Sequence, residues 1–119
     1  MFPKQPGAVV AVRENVIKEK RSAVETLVEL HVRATHLIND DPKRAAKHIH
    51  KFLGQGLVPV ETFEKALASP TSNFVADPHE IIAPTKIMHD FSAQIGTLKK
   101  PVPLDQLFDL SFYKEAAKK

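Results

Sequence analysis

Between Ser22 and Asn39 the apolar side chains recur with the period of an α-helix, and nothing else in the sequence constrains the fold as tightly. Val24, Leu27, Val28, His31, Ala34, Thr35 and Ile38 follow i, i+3, i+4, i+7 spacing, and Leu30 and Leu37 widen the stripe. Glu25, Glu29, Arg33 and His36 fall on the other side. Asp40-Asp41-Pro42 then places a capping acid before a proline at the first position of a new helix, where the missing N–H costs nothing. That second helix presents Ala45, Ala46, Ile49, Phe52 and Leu53 and stops at Gly54. Two helices across so short a turn predict an αα-hairpin.

The rest of the chain reads as shorter helices separated by breakers. Arg13 to Lys20 is a charged stretch with Val16 and Ile17 inward, Gln55 to Pro59 is a connector, and Val60 to Ala68 is a third helix. Ser69 to Asn73 is a turn, followed by extended chain at Phe74-Val75-Ala76. Asp77-Pro78 repeats the helix-start signal, and the stripe Ile81, Met88, Phe91, Ile95 ends at Gly96. Pro84 interrupts that helix, so a kink or a restart is expected there. Lys99 to Pro103 breaks the pattern, and Leu104 to Ala117 closes the chain in one or two short helices. Only Ala8-Val9-Val10-Ala11-Val12 reads as a strand. The expected fold is mainly α: five or six helices over 22–117, with one orphan N-terminal strand at 8–12, in a single segment 1–119. A lone strand needs a partner for its backbone groups. Its abrupt start suggests a piece of a larger sheet, and an isolated chain is expected to dimerise through Ala8 to Val12 or through exposed helix faces.

Composition narrows the function classes. The 43% apolar and 26% charged residues belong to a globular chain, so general disorder is excluded. The absence of cysteine removes disulfides, thiol catalysis and cysteine-ligated zinc while leaving the compartment open. The net charge of +3 is spread among 14 acids and does not point to nucleic acid. No apolar run is long enough to span a bilayer, and the first six residues do not read as a signal peptide.

Candidate chemistry is sparse. His48 and His50 are two apart on a helix and His31 and His36 five apart, so none forms the i, i+4 pair of a helical zinc site, and no metal or cofactor is expected. Asp77 and Glu80 suit a helix N-terminus better than acid–base work. With no phosphate loop or nucleophile elbow, the chain is not expected to be an enzyme. Lys43, Arg44, Lys47, His48 and Lys51 share a face that suits phosphates, an anionic membrane or simply water. Ser72 and Asn73 are polar loop residues able to touch a small ligand or to close their own turn.

Three stretches in order resemble one family. They are Ala8 to Ile17; the helix ending His36-Leu37-Ile38-Asn39-Asp40-Asp41-Pro42-Lys43-Arg44-Ala45-Ala46; and a tail of Ala76 to Ile81, Met88 to Phe91, Gly96 to Lys99 and Leu107 to Tyr113. Together they resemble the C-terminal part of periplasmic solute-binding proteins of ABC importers for nitrate, sulfonates and taurine. The resemblance implies a fragment of a two-lobed α/β protein, with most of the ligand cleft upstream of these residues, a small anion or sulfonate-like solute, and a membrane permease as partner. It also implies a periplasmic or cell-envelope location. The segment alone is then not expected to bind solute, and no family ligand residue transfers; Ser72 and Asn73 are the loop positions to examine near a cleft. Two alternatives stay open: a stand-alone helical protein–protein interaction module, and a weak nucleic-acid binder using the Lys43 to Lys51 face.

Overall fold

A computed structural model describes residues 4–54 and 56–119 and contains seven α-helices: α1 (Glu14–Glu19), α2 (Arg21–Asp40), α3 (Pro42–Ile49), α4 (Val60–Leu67), α5 (His79–Gln94), α6 (Leu104–Leu107) and α7 (Ser111–Ala116). A π-turn, His50–Gly54, extends α3. The chain is mainly helical, and no described helix is long and apolar enough to cross a membrane. Backbone packing divides it into two compact units, residues 1–28 with 77–119, and residues 29–76.

The strand expected at 8–12 is not formed. These residues are irregular, with Val9 62% and Val10 50% exposed. A strand needs a neighbouring strand to take its N–H and C=O groups, and the described residues contain none.

In the first unit, the start of α2 is held to α7. Val24 and Phe112 are buried, and the Arg21 guanidinium lies 4.4 Å from the centroid of the Phe112 ring. The same Arg21 donates to Glu25 and, through Nη2, to the Ser111 hydroxyl, each at 3.2 Å. The Gln5 amide donates to the Pro84 carbonyl, pinning the N-terminal arm to α5. α5 runs unbroken through Pro84 instead of restarting. Pro84 sits early in the helix, and Glu80, whose carbonyl loses its donor, is an exposed residue. At the other end Gly96 takes φ 76°, its N–H returns to the Ala93 carbonyl, and the Leu98 N–H reaches the Ser92 carbonyl.

In the second unit the expected N-cap of α3 is in place. Asp41 Oδ1 accepts the Arg44 N–H at 3.1 Å and Pro42 opens α3, as the sequence indicates. Among the described residues α3 packs on α4 and the π-turn. Asp41 is the sole residue between α2 and α3. The expected α2 stripe is found in part. Val24, Val32 and Thr35 are buried and Val28 half-buried, whereas Leu27, His31 and Ala34 face outward. The Thr35 hydroxyl is satisfied within the helix, donating to the His31 carbonyl at 2.9 Å. Ala45 and Ala46, 2% and 0% exposed, let α3 approach its neighbours closely. The His50 ring meets Phe63 edge-on with centroids 6.3 Å apart, fastening the π-turn to α4. Of the expected connector, Gln55 lies outside the described residues.

Candidate functional site

Ser72 is engaged in local structure. Its N–H donates to the Ser69 carbonyl at 2.9 Å and its hydroxyl to the Ala66 carbonyl at 2.7 Å, near the end of α4, where that carbonyl also accepts the Ser69 N–H at 3.3 Å. Asn73 is exposed beside it, and Asn39 binds the next residue's backbone, Nδ2 to the Phe74 carbonyl at 3.2 Å. The two candidate positions are adjacent, but the Ser72 hydroxyl is already committed to its own turn.

Two shallow clefts occur in the first unit. One, of about 340 Å³, is lined by Lys86, His89 and Asp90 of α5 and by Pro101, Val102, Pro103 and Leu104. Lys86 and His89 both donate to Asp90, and these hydrogen bonds, the Lys86 one foremost, hold its carboxyl below the ordinary carboxylate range. With His89 Nδ1 turned to Asp90 at 3.2 Å, Nε2 is buried without a partner. Because that atom has no access to solvent, it does not meet a molecule lying in the cleft.

The second cleft, of about 580 Å³, is lined by Asp77, His79, Leu110, Ser111, Tyr113, Lys114 and Ala117. It holds the three residue types of a hydrolase triad, and the hydrogen bonds decide against that chemistry. The Ser111 hydroxyl donates to Asp109 at 2.6 Å and accepts from Arg21, so it is not poised on an imidazole. Asp77 Oδ1 accepts both the His79 N–H at 2.9 Å and His79 Nδ1 at 2.6 Å, a turn that opens α5. The Asp77 pKa is lowered, foremost by that backbone hydrogen bond; burial opposes it, and the imidazole adds a further bond and charge.

The remaining feature belongs to the second unit. Helical spacing lays Lys43, Arg44, Lys47, His48 and Lys51 along one arc, all exposed, while Ala45, Ala46 and Ile49 take the packed side. The chain then leaves the arc through Phe52, Leu53 and Leu57, which are 80%, 76% and 86% exposed. Sequence reasoning found the arc and missed the apolar residues beside it. Phe52 and Leu53 continue the α3 stripe on paper and were expected inward; the wider π-turn carries them out of register. Among the described residues no cluster of three or more His, Asp or Glu side chains could hold a metal ion.

Comparison with protein-family models, with curated proteins and with solved structures gave no match.

Proposed function

We propose that these residues are the C-terminal portion of a periplasmic solute-binding component of an ABC importer, serving a small anion or sulfonate-like solute. One observation carries this reading. The first unit leaves Val9, Val10, Leu27, Ile87, Ile95, Val102 and Leu107 exposed, each 44% or more, around a core whose buried apolar residues are Val24 and Phe112. Apolar surface on that scale calls for further protein to cover it, and the two-lobed family that the sequence resembles would supply that mass. The order of elements adds support: a long helix ending at Asp40, a cap at Asp41, Pro42, and a helix centred on Ala45 and Ala46. Both clefts are open rather than enclosed, so the solute would be held by residues outside this segment. The permease and a periplasmic location follow from the same proposal.

Calorimetric titration with nitrate, taurine and an alkylsulfonate tests it on two proteins: the 119-residue chain and the full product of its natural gene. Binding by the full product alone is the expected result. Tight stoichiometric binding by the 119 residues, or a natural gene encoding no α/β half, would overturn it.

A further inference from the structure

The second unit carries a surface that solute capture does not use. Residues 42–60 contain four Lys or Arg and no Asp or Glu. Lys43, Arg44, Lys47 and Lys51 stand exposed on the arc of α3 and its π-turn. Directly after them come Phe52, Leu53 and Leu57, the three most exposed large apolar side chains among the described residues. Water opposes such exposure, and a basic arc beside protruding apolar groups matches the layering of an anionic bilayer, phosphates over acyl chains.

We infer that this face docks on an anionic membrane surface, with Phe52, Leu53 and Leu57 entering the interface and Lys43, Arg44, Lys47 and Lys51 meeting lipid phosphates. Charge decides the occupant. A second copy seated on the same face would set four cations against four, a like-charge contact that opposes pairing. A nucleic acid would satisfy the cations but make no use of Leu53 and Leu57, and Phe52 alone is no stacking platform. The nearest acids, Asp40 and Asp41, stand before the N-terminal end of the arc and leave its four cations in excess, and Glu61 lies beyond, on α4. The inference rests on the basic arc beside the apolar tip of the second unit, not on the apolar surface of the first, and its test is separate from the solute titration.

The test is flotation of the whole chain with vesicles of phosphatidylcholine alone, or of phosphatidylcholine with phosphatidylglycerol, at low and high salt. Binding is expected on the anionic vesicles only, weakening with salt. Lys43→Gln and Lys47→Gln should each lower partitioning about fivefold. The double variant Phe52→Ser/Leu53→Ser should lower it about tenfold or more. Leu57→Ser supplies an independent check, and an unchanged circular dichroism spectrum certifies each fold. Equal binding to neutral vesicles, or no response to the serine variants, overturns the inference. So does duplex DNA binding of equal strength that the serine variants leave intact, and so does a dimer that those variants dissociate while no vesicle is bound.

Discussion

The guanidinium of Arg21 covers the ring of Phe112 at 4.4 Å, joining the first residue of α2 to the one buried aromatic side chain among the described residues. The contact does more than shield a ring. The same cation donates to Ser111 at the start of α7 and to Glu25 one turn along α2, so three anchors converge on one planar fork.

Arg21→Ala should therefore destabilise the chain by about 1 kcal/mol, the scale of a partly exposed cation–π contact with its hydrogen bonds. Arg21→Lys should recover only part, because an ammonium cannot cover the ring and reach both partners. Phe112→Ala should cost about 3 kcal/mol as a core truncation. Urea denaturation followed by far-UV circular dichroism measures all three, and equal stability of Arg21→Ala and the parent would contradict the anchor.

Asp41→Ala should cost about 1 kcal/mol, the usual loss for an N-cap that accepts a backbone N–H. Asp41→Asn should be nearly neutral, since its amide oxygen still accepts from Arg44. The discriminating measurement is exchange of the Arg44 amide hydrogen, faster in the alanine variant and close to parent in the asparagine one.

Gly96→Ala should cost about 1–2 kcal/mol through the backbone alone. The space a Cβ would enter is open, so no clash contributes, whereas φ 76° lies in the left-handed region. Gly96→Asn should lose less. If thermal denaturation gave alanine no penalty, the left-handed turn after α5 would be disproved.

Acid should loosen the start of α5 through Asp77. Its pKa in the fold lies below the ordinary value of 3.8, so the unfolded chain takes up the proton more readily. The associated stability is present above pH 3.8 and disappears as pH falls through the lower folded value. Asp77→Asn keeps an acceptor for the His79 N–H and should remove this acid-dependent step. Carboxyl NMR titration beside the His79 amide signal reads it directly; an Asp77 titration at or above 3.8 would refute the cause given.

Ser72→Ala should cost about 0.5–1 kcal/mol, as one exposed hydrogen bond to the Ala66 carbonyl is lost. Asn73→Ala should leave stability unchanged in the same denaturation experiment. Equal losses at both positions would mean that the turn is held differently.

Local chemistry was legible from sequence where it is self-contained. The limits of α2, the Asp41 cap with Pro42, the Gly96 stop and the Ser69 to Asn73 turn each rest on interactions within a few residues, and each is found in place. What escaped depends on partners distant in sequence. Val9 and Val10 have strand chemistry but no strand to pair with. In α2 apolar residues stand on nearly every side, so periodicity kept Leu27 and His31 on the stripe with the buried Thr35 and left out the buried Val32. At the candidate surface the basic arc was visible as spacing, while the outward turn of Phe52 and Leu53 follows from a π-turn that composition does not announce.

The single-residue link between α2 and α3 has a mechanical meaning. α3 is eight residues long, about 12 Å at the rise of an α-helix. With Asp41 alone between it and α2, the two backbone torsions of one residue, φ −141° and ψ 72°, steer the whole rod. A rotation of about 10° there would sweep the far end of α3 through about 2 Å. The Asp41 carboxylate, locked on the Arg44 N–H, is in effect a set-screw on that pivot, fixing where the cations and the apolar tip of α3 point.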